Sequence, residues 1–260
     1  MTKALEPLRP FQRVRTCCLL VLFLVLALPR VLSAQRRQHV YVIVHGAWGG
    51  GWDWRAVDSM LTARGHRVVR VTLTGLGERV HLASPRIGLD THIADVVNTI
   101  VWENLRDVVL VGHSYGGMVV TGAADRIPER IRRAVYVDAF LPDSGESVLS
   151  LASGPAFEWV AATVREGMSV PGWADTTQTP RDVPQPYRTF TDTLRLTNPA
   201  ARRIPGTYIL TFEPAVTPDP FQPFADRAAA RGWPVQRIPT GHTPEREARE
   251  PLVALLHAVP

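Results

Sequence analysis

Residues 108–116 read Val-Val-Leu-Val-Gly-His-Ser-Tyr-Gly, and this stretch constrains the fold more than any other in the chain. A short run of four apolar, mostly β-branched residues reads as a strand buried on both faces. The serine that follows lies between glycines in the pattern G-x-S-x-G. Without a Cβ at positions 112 and 116, strand and helix can approach closely, so Ser114 is expected on a tight turn between them. There its hydroxyl projects from the end of the strand. The N–H of Tyr115 then sits at a helix N-terminus, where developing negative charge is favoured. The plainer reading is a glycine-rich turn with an ordinary serine. The apolar run before it and the helix-forming stretch after it argue against that.

Other segments repeat the strand–helix alternation. Residues 39–44, 66–73, 107–112, 133–138, 207–211 and 235–238 read as strands. Residues 52–64, 91–104, 115–124, 221–231 and 244–257 read as helices, with Gly65 closing the first and Thr91 a candidate cap for the second. Apolar strands alternating with helices predict one mostly parallel, doubly wound α/β sheet. Residues 141–203 break the rhythm: Pro155, Pro171, Pro180, Pro184 and Pro186 accompany Phe157, Trp159 and Trp173, with no clear strand. That composition predicts an inserted helical cap.

The chain carries a net charge of +5, which invites a nucleic-acid partner. Residues 1–34 hold Lys3, Arg9, Arg13, Arg15 and Arg30 against Glu6, so the remainder is close to neutral and no nucleic-acid footprint is expected. Those same residues have the parts of a signal peptide: Arg13 and Arg15, an apolar run at residues 17–28, Pro29, and small residues up to Ala34. The run is short for a spanning helix, so cleavage and a secreted or periplasmic location are expected, without stable membrane insertion afterwards. Residues 35–260 would form the folded domain. Both cysteines, Cys17 and Cys18, lie in the leader, which leaves no thiol chemistry to the mature chain.

A serine nucleophile needs a base and an oxyanion site. His242, in Thr240-Gly241-His242 between the last strand and the last helix, has the placement that chain order requires of the base. His45-Gly46-Ala47, after the first strand, offers the Ala47 N–H as an oxyanion donor beside that of Tyr115. His45 itself is expected to hold that loop. Metal or organic cofactors are not needed for such chemistry.

Several motifs together resemble a known family. Gly46-Ala47 with Gly50-Gly51-Trp52, the stretch from Thr72 to Arg79, Gly112-His113-Ser114-Tyr115-Gly116-Gly117, Tyr208-Ile209-Leu210 and Gly241-His242 are similar to bacterial esterases. These are related to the plant methylesterase and hydroxynitrile lyase branch of the α/β-hydrolases. The resemblance implies a Ser-His-acid triad, an oxyanion hole from Ala47 and Tyr115, and a cap over an apolar pocket for a small ester. Trp48 and Trp159 are the expected substrate contacts. Where the plant enzymes carry their acid this chain has Pro214, so the neighbouring Glu213 is expected as the acid, with Asp138 and Asp219 as alternatives. Gly49 stands where relatives commonly carry histidine. A lyase would lead one to expect threonine at Gly46 and lysine at Thr243. The competing reading is a non-catalytic small-ligand binder on the same scaffold.

If the leader is cleaved as read, mass spectrometry of exported protein will find an N-terminus close to Gln35. An intact chain recovered from the membrane fraction would contradict it.

Overall fold

The computed structural model describes residues 38–152 and 155–260, with backbone alone for residues 155–157 and 159. The expected leader, residues 1–34, lies outside the described residues. The first half runs β1 (Val40–Val44), α1 (Arg55–Thr62), β2 (Arg67–Val71), α2 (Leu89–Trp102), β3 (Val108–His113), α3 (Gly116–Arg126) and β4 (Ile131–Val137). Then come α4 (Val148–Leu151), α5 (Pro155–Ala162), β5 (Val164–Arg165), β6 (Met168–Ser169), β7 (Gln185–Pro186) and α6 (Arg188–Thr191). The chain closes with β8 (Gly206–Phe212), α7 (Gln222–Ala230), β9 (Val235–Pro239), α8 (Pro244–Glu247) and α9 (Arg249–His257).

Six strands form one sheet in the order β2-β1-β3-β4-β8-β9, each pair parallel. The period-two alternation of side chains makes it doubly wound. Val42, Val44, Val108 and Leu110 face one core with Ile93 and Val96 of α2 and Met118 and Val119 of α3. Tyr41, Ile43, Val109 and Val111 face the other with Val57 and Leu61 of α1 and Leu252 and Leu256 of α9. Because both faces are covered at the centre of the sheet, β1 and β3 are apolar along most of their length, whereas the edge strands β2 and β9 carry Arg67, Arg70, Gln236 and Arg237. The order reverses at β1, which has β2 on one side and β3 on the other. In such a sheet the crevice opens beyond the carboxyl ends of those strands.

Three expectations are corrected. Thr91 does not cap α2: Leu89 is buried and extends the apolar face one turn earlier. Gly88 takes the cap position, and the cap oxygen comes from Asp192, which accepts the Leu89 N–H at 3.2 Å. Residues 141–203 do contain strand: β5, β6 and β7 pair antiparallel, two residues each. Residues 244–257 form two helices, because Ala248 leaves helical geometry at φ −136°.

β8 ties its neighbour by a side chain as well as by backbone. The Tyr208 hydroxyl accepts the Ala139 N–H at 3.0 Å and donates to the Ala139 carbonyl at 2.8 Å, both fully buried. Removing that hydroxyl leaves a buried donor and a buried acceptor unpaired, which costs about 2–4 kcal/mol. Tyr208→Phe is therefore expected to lower the urea midpoint by that stability without changing the unfolding slope. A midpoint unchanged within error would contradict the account.

Candidate active site

Ser114 occupies the turn from β3 to α3 with φ +51°, a left-handed backbone that costs a non-glycine residue energy. The glycines explain how the turn fits. A Cβ on Gly112 would meet the Gly116 carbonyl at 2.7 Å, and one on Gly116 would meet the Val44 and His45 carbonyls at 2.7 and 2.8 Å. The backbone of Ser114 is held at both ends: its N–H donates to the Val137 carbonyl at 3.3 Å and its carbonyl accepts from Phe140 at 3.1 Å.

The Ser114 Oγ lies 2.9 Å from His242 Nε2, and His242 Nδ1 lies 2.6 Å from Asp138 Oδ2. These three residues come from the ends of β3, β9 and β4. Asp138 is buried, also has a left-handed φ of +44°, and accepts the Thr211 N–H on Oδ1 at 3.1 Å. With a carboxylate on Nδ1, the proton of neutral His242 is held there and Nε2 faces the serine as an acceptor. The Phe221 ring stacks on the imidazole with centroids 4.7 Å apart at 15°.

Glu213, the expected acid, does not touch His242. It is exposed just past the end of β8, at the start of a turn closed by the Val216 N–H on the Glu213 carbonyl, and its Oε1 sits beside Gly241. At that strand end β8 gives the site a backbone donor, the Thr211 N–H, while the neighbouring strand β4 provides the carboxylate. Asp219 is engaged elsewhere, accepting the N–H groups of Phe221 and Gln222 at 2.8 and 3.2 Å at the start of α7. Asp138 follows the apolar run of β4 as Glu213 follows that of β8, so the sequence marks both as strand-end acids without separating them.

The neighbouring histidines stay neutral. Burial lowers the His45 pKa to about 4; its Nδ1–H donates to the Gly46 carbonyl at 2.7 Å and its Nε2 accepts the Leu73 N–H at 3.2 Å. It thus holds the loop after β1 as expected. His113, lowered to about 3 by burial and by His242, donates from Nε2 to the His242 carbonyl at 2.7 Å. His242 differs. Burial opposes its charge, but the Asp138 hydrogen bond and the charges of Asp138, Glu245 and Asp219 outweigh that, and its pKa is raised. Its side chain remains 43% exposed, open to the cleft.

A cavity of about 350 Å³ opens over Ser114 and His242. Ala47 and Tyr115 lie on its wall, and among the described residues neither of their backbone N–H groups has an acceptor. Apolar walls come from Trp48, Phe140, Val148, Val160, Phe190 and Phe221. Trp48, at φ +60°, is fixed by residues between β4 and β8: its N–H donates to Gln185 Oε1 at 2.8 Å and its indole to the Ser169 carbonyl at 3.2 Å. The side chain of Trp159, the other expected contact, lies outside the described residues. Sequence reasoning missed Asp53, Asp182, Glu245 and Arg246, which line the same cavity from loops and a helix start.

The sequence profile described as the alpha/beta hydrolase family matches residues 41–255. A carbendazim-hydrolysing esterase of Nocardioides sp. (strain SG-4G) is 54% identical over 111 residues, 43% of this chain and 46% of that protein. Methylesterase 2 of Arabidopsis thaliana is 33% identical over 144 residues, 55% of this chain and 51% of that protein. The chain thus spans about half the length of these curated relatives. Among solved structures, an extracellular alpha/beta-hydrolase from a Paenibacillus species superposes with a TM-score of 0.71 at 22% identity, covering 84% of this chain and 97% of that one.

The electrostatics of His242 are open to direct measurement. An NMR titration should give its imidazole a pKa above the ordinary 6.5. In Asp138→Asn the opposing burial is left and the value should fall. A value that stays raised in that variant would remove Asp138 as the cause.

Proposed function

The chain belongs to the alpha/beta hydrolase family, and on that premise we propose that it is a carboxylic ester hydrolase working through an acyl-enzyme on Ser114. The observation that carries this reading is the unbroken relay from Ser114 Oγ through His242 to Asp138, at 2.9 and 2.6 Å. His242 Nε2 takes the hydroxyl proton as Ser114 Oγ attacks the ester carbonyl carbon. The carbonyl π electrons move to oxygen, where the N–H groups of Ala47 and Tyr115 stabilise the charge. Collapse of this intermediate expels the alkoxide, which leaves as the alcohol with the proton from His242. Water, deprotonated by His242, then attacks the acyl carbon and frees the acid and Ser114. Asp138 holds the productive tautomer and stabilises the imidazolium.

The wall of Trp48, Phe140, Phe190 and Phe221 favours an ester with an apolar, planar acyl or alcohol group. Methyl esters and carbendazim, from the names of the two relatives, are the first substrates to assay, with aromatic acyl groups chosen among the methyl esters to suit this wall. A lyase role is less well supported, since Gly46 and Thr243 stand at the positions where the lyases are expected to carry threonine and lysine. A purely binding role leaves the relay without a purpose.

A fluorophosphonate probe should label wild-type protein and leave Ser114→Ala unlabelled. With a substrate found in that ester panel, Ser114→Ala should lower kcat at least about 10³-fold and Asp138→Asn about 10⁴-fold. Glu213→Gln should stay within about threefold of wild type. Labelling of Ser114→Ala, or Glu213→Gln falling as far as Asp138→Asn, would overturn the assignment.

A further inference from the structure

The cavity over Ser114 is apolar on one side only. Its other end carries three acidic residues, Asp53, Asp182 and Glu245, against one guanidinium, Arg246. All three acids are withdrawn from water: the side chains of Asp53 and Asp182 are 7% and 12% exposed, and Glu245 is 2% exposed. Arg246 is already committed. It lies 2.5 Å from Asp53 Oδ1 and 3.6 Å from Asp182, with its guanidinium over the Trp52 ring. Glu245 Oε2 has no hydrogen-bond partner among the described residues. A buried carboxyl oxygen left this way in a cavity wall is costly unless a donor or a cation approaches.

Two details show how the cluster is built. A Cβ on Gly49 would fall 2.5 Å from Asp53 Oδ2, so the missing side chain at position 49 makes room for this carboxylate beside the loop after β1. Asp182 accepts the Trp173 indole N–H at 2.7 Å, and the Trp173 ring stands edge-on to Trp48 at 5.3 Å. Carboxylates and an aromatic ring therefore converge on one end of the cavity. Burial pushes Asp53 and Glu245 up to about 7; Arg246 opposes this at Asp53, and at Glu245 the residue's own backbone N–H and His242 oppose it ahead of Arg246.

We propose that this end of the cavity is a specificity subsite for a cationic nitrogen group in the substrate, received by Asp53, Asp182 and Glu245 beside the ring of Trp173. The proposal rests on the ester-hydrolase reading and names its substrate class: esters bearing a protonated amine or basic heterocycle a few bonds from the scissile carbonyl. An approaching cation draws Asp53 and Glu245 toward their ionised forms and pairs with the carboxylates that one arginine does not satisfy, and an aromatic face favours it further. Asp53, Trp173, Asp182 and Arg246 also wall a second, outer cavity of about 690 Å³, so the subsite lies where the two spaces adjoin. That outer cavity also carries Arg55, Arg181 and Arg249, so the cation is held on the carboxylates at the junction and does not project beyond them.

Two esters of equal shape separate charge from size: 2-(dimethylamino)ethyl benzoate, protonated near neutral pH, and 3-methylbutyl benzoate. The readout is the ratio of their kcat/KM values, which does not depend on how much of a variant folds. Wild type should favour the amine by roughly tenfold or more. Asp53→Asn should bring the ratio most of the way to unity. Gly49→Ala, which keeps every charge and displaces only the Asp53 carboxylate, should lower it in the same direction. A wild-type ratio near unity, or a ratio unmoved in both variants, would overturn the subsite while leaving the hydrolase reading intact. Turnover of neither ester, together with no fluorophosphonate labelling, would instead overturn the hydrolase reading.

Discussion

The buried carboxylate of Asp138 is the contact on which the rest of the site depends. One oxygen accepts the Thr211 N–H from β8 and the other meets His242 Nδ1, so a single side chain joins β4, β8 and the loop after β9. A charge in that position is tolerable only because both oxygens are engaged. Its backbone N–H donates to the Ile209 carbonyl at 2.7 Å and its neighbour Ala139 is clasped by Tyr208, so little freedom is left to it. The direction of the imidazole, and through it the approach to Ser114, follows from parallel pairing of the strands.

Histidines in this small volume are differentiated by what surrounds them. His45 and His113 are fully enclosed and their ring N–H groups are spent on backbone carbonyls, so both are held neutral as rigid spacers. His242 alone among these three has a carboxylate on Nδ1 and an open edge toward the cavity. One residue type thus serves as scaffold in two places and as a proton acceptor in the third. Keeping the neighbours uncharged also spares His242 the repulsion that would otherwise oppose its imidazolium form.

Half of the non-glycine residues with a left-handed backbone among the described residues lie where the chemistry is expected, the others being Asn104, Asp107 and Glu166 in turns or bends elsewhere. Ser114, Trp48 and Asp138 all have positive φ without being glycine, and all three border the cavity or the relay. Conformations of this kind persist only when the surroundings over-determine them. Here Gly112 and Gly116 remove the steric conflict at Ser114, β8 pins Asp138, and Gln185 and Val183 hold Trp48 from the segment between β4 and β8. The site is thereby assembled before any substrate arrives.

Much of this was legible in residue order. Apolar runs such as Val108–Val111 bury themselves on both faces whatever lies beyond them, so alternation with helices already implied a parallel, covered sheet. The spacing of Gly112, Ser114 and Gly116 and the position of His242 after the last strand are local, and local rules read them. The acid was not local. Glu213 and Asp138 follow neighbouring strands, and nothing in either stretch says which strand end faces the imidazole; that depends on β4 standing between β3 and β8, which leaves Glu213 exposed beside Gly241. The cluster of Asp53, Asp182, Glu245 and Arg246 was equally silent, because its members lie up to 193 positions apart and meet only when the sheet brings their loops to one end. Periodicity fixes which face of an element is buried, whereas contacts between loops depend on the full path of the chain.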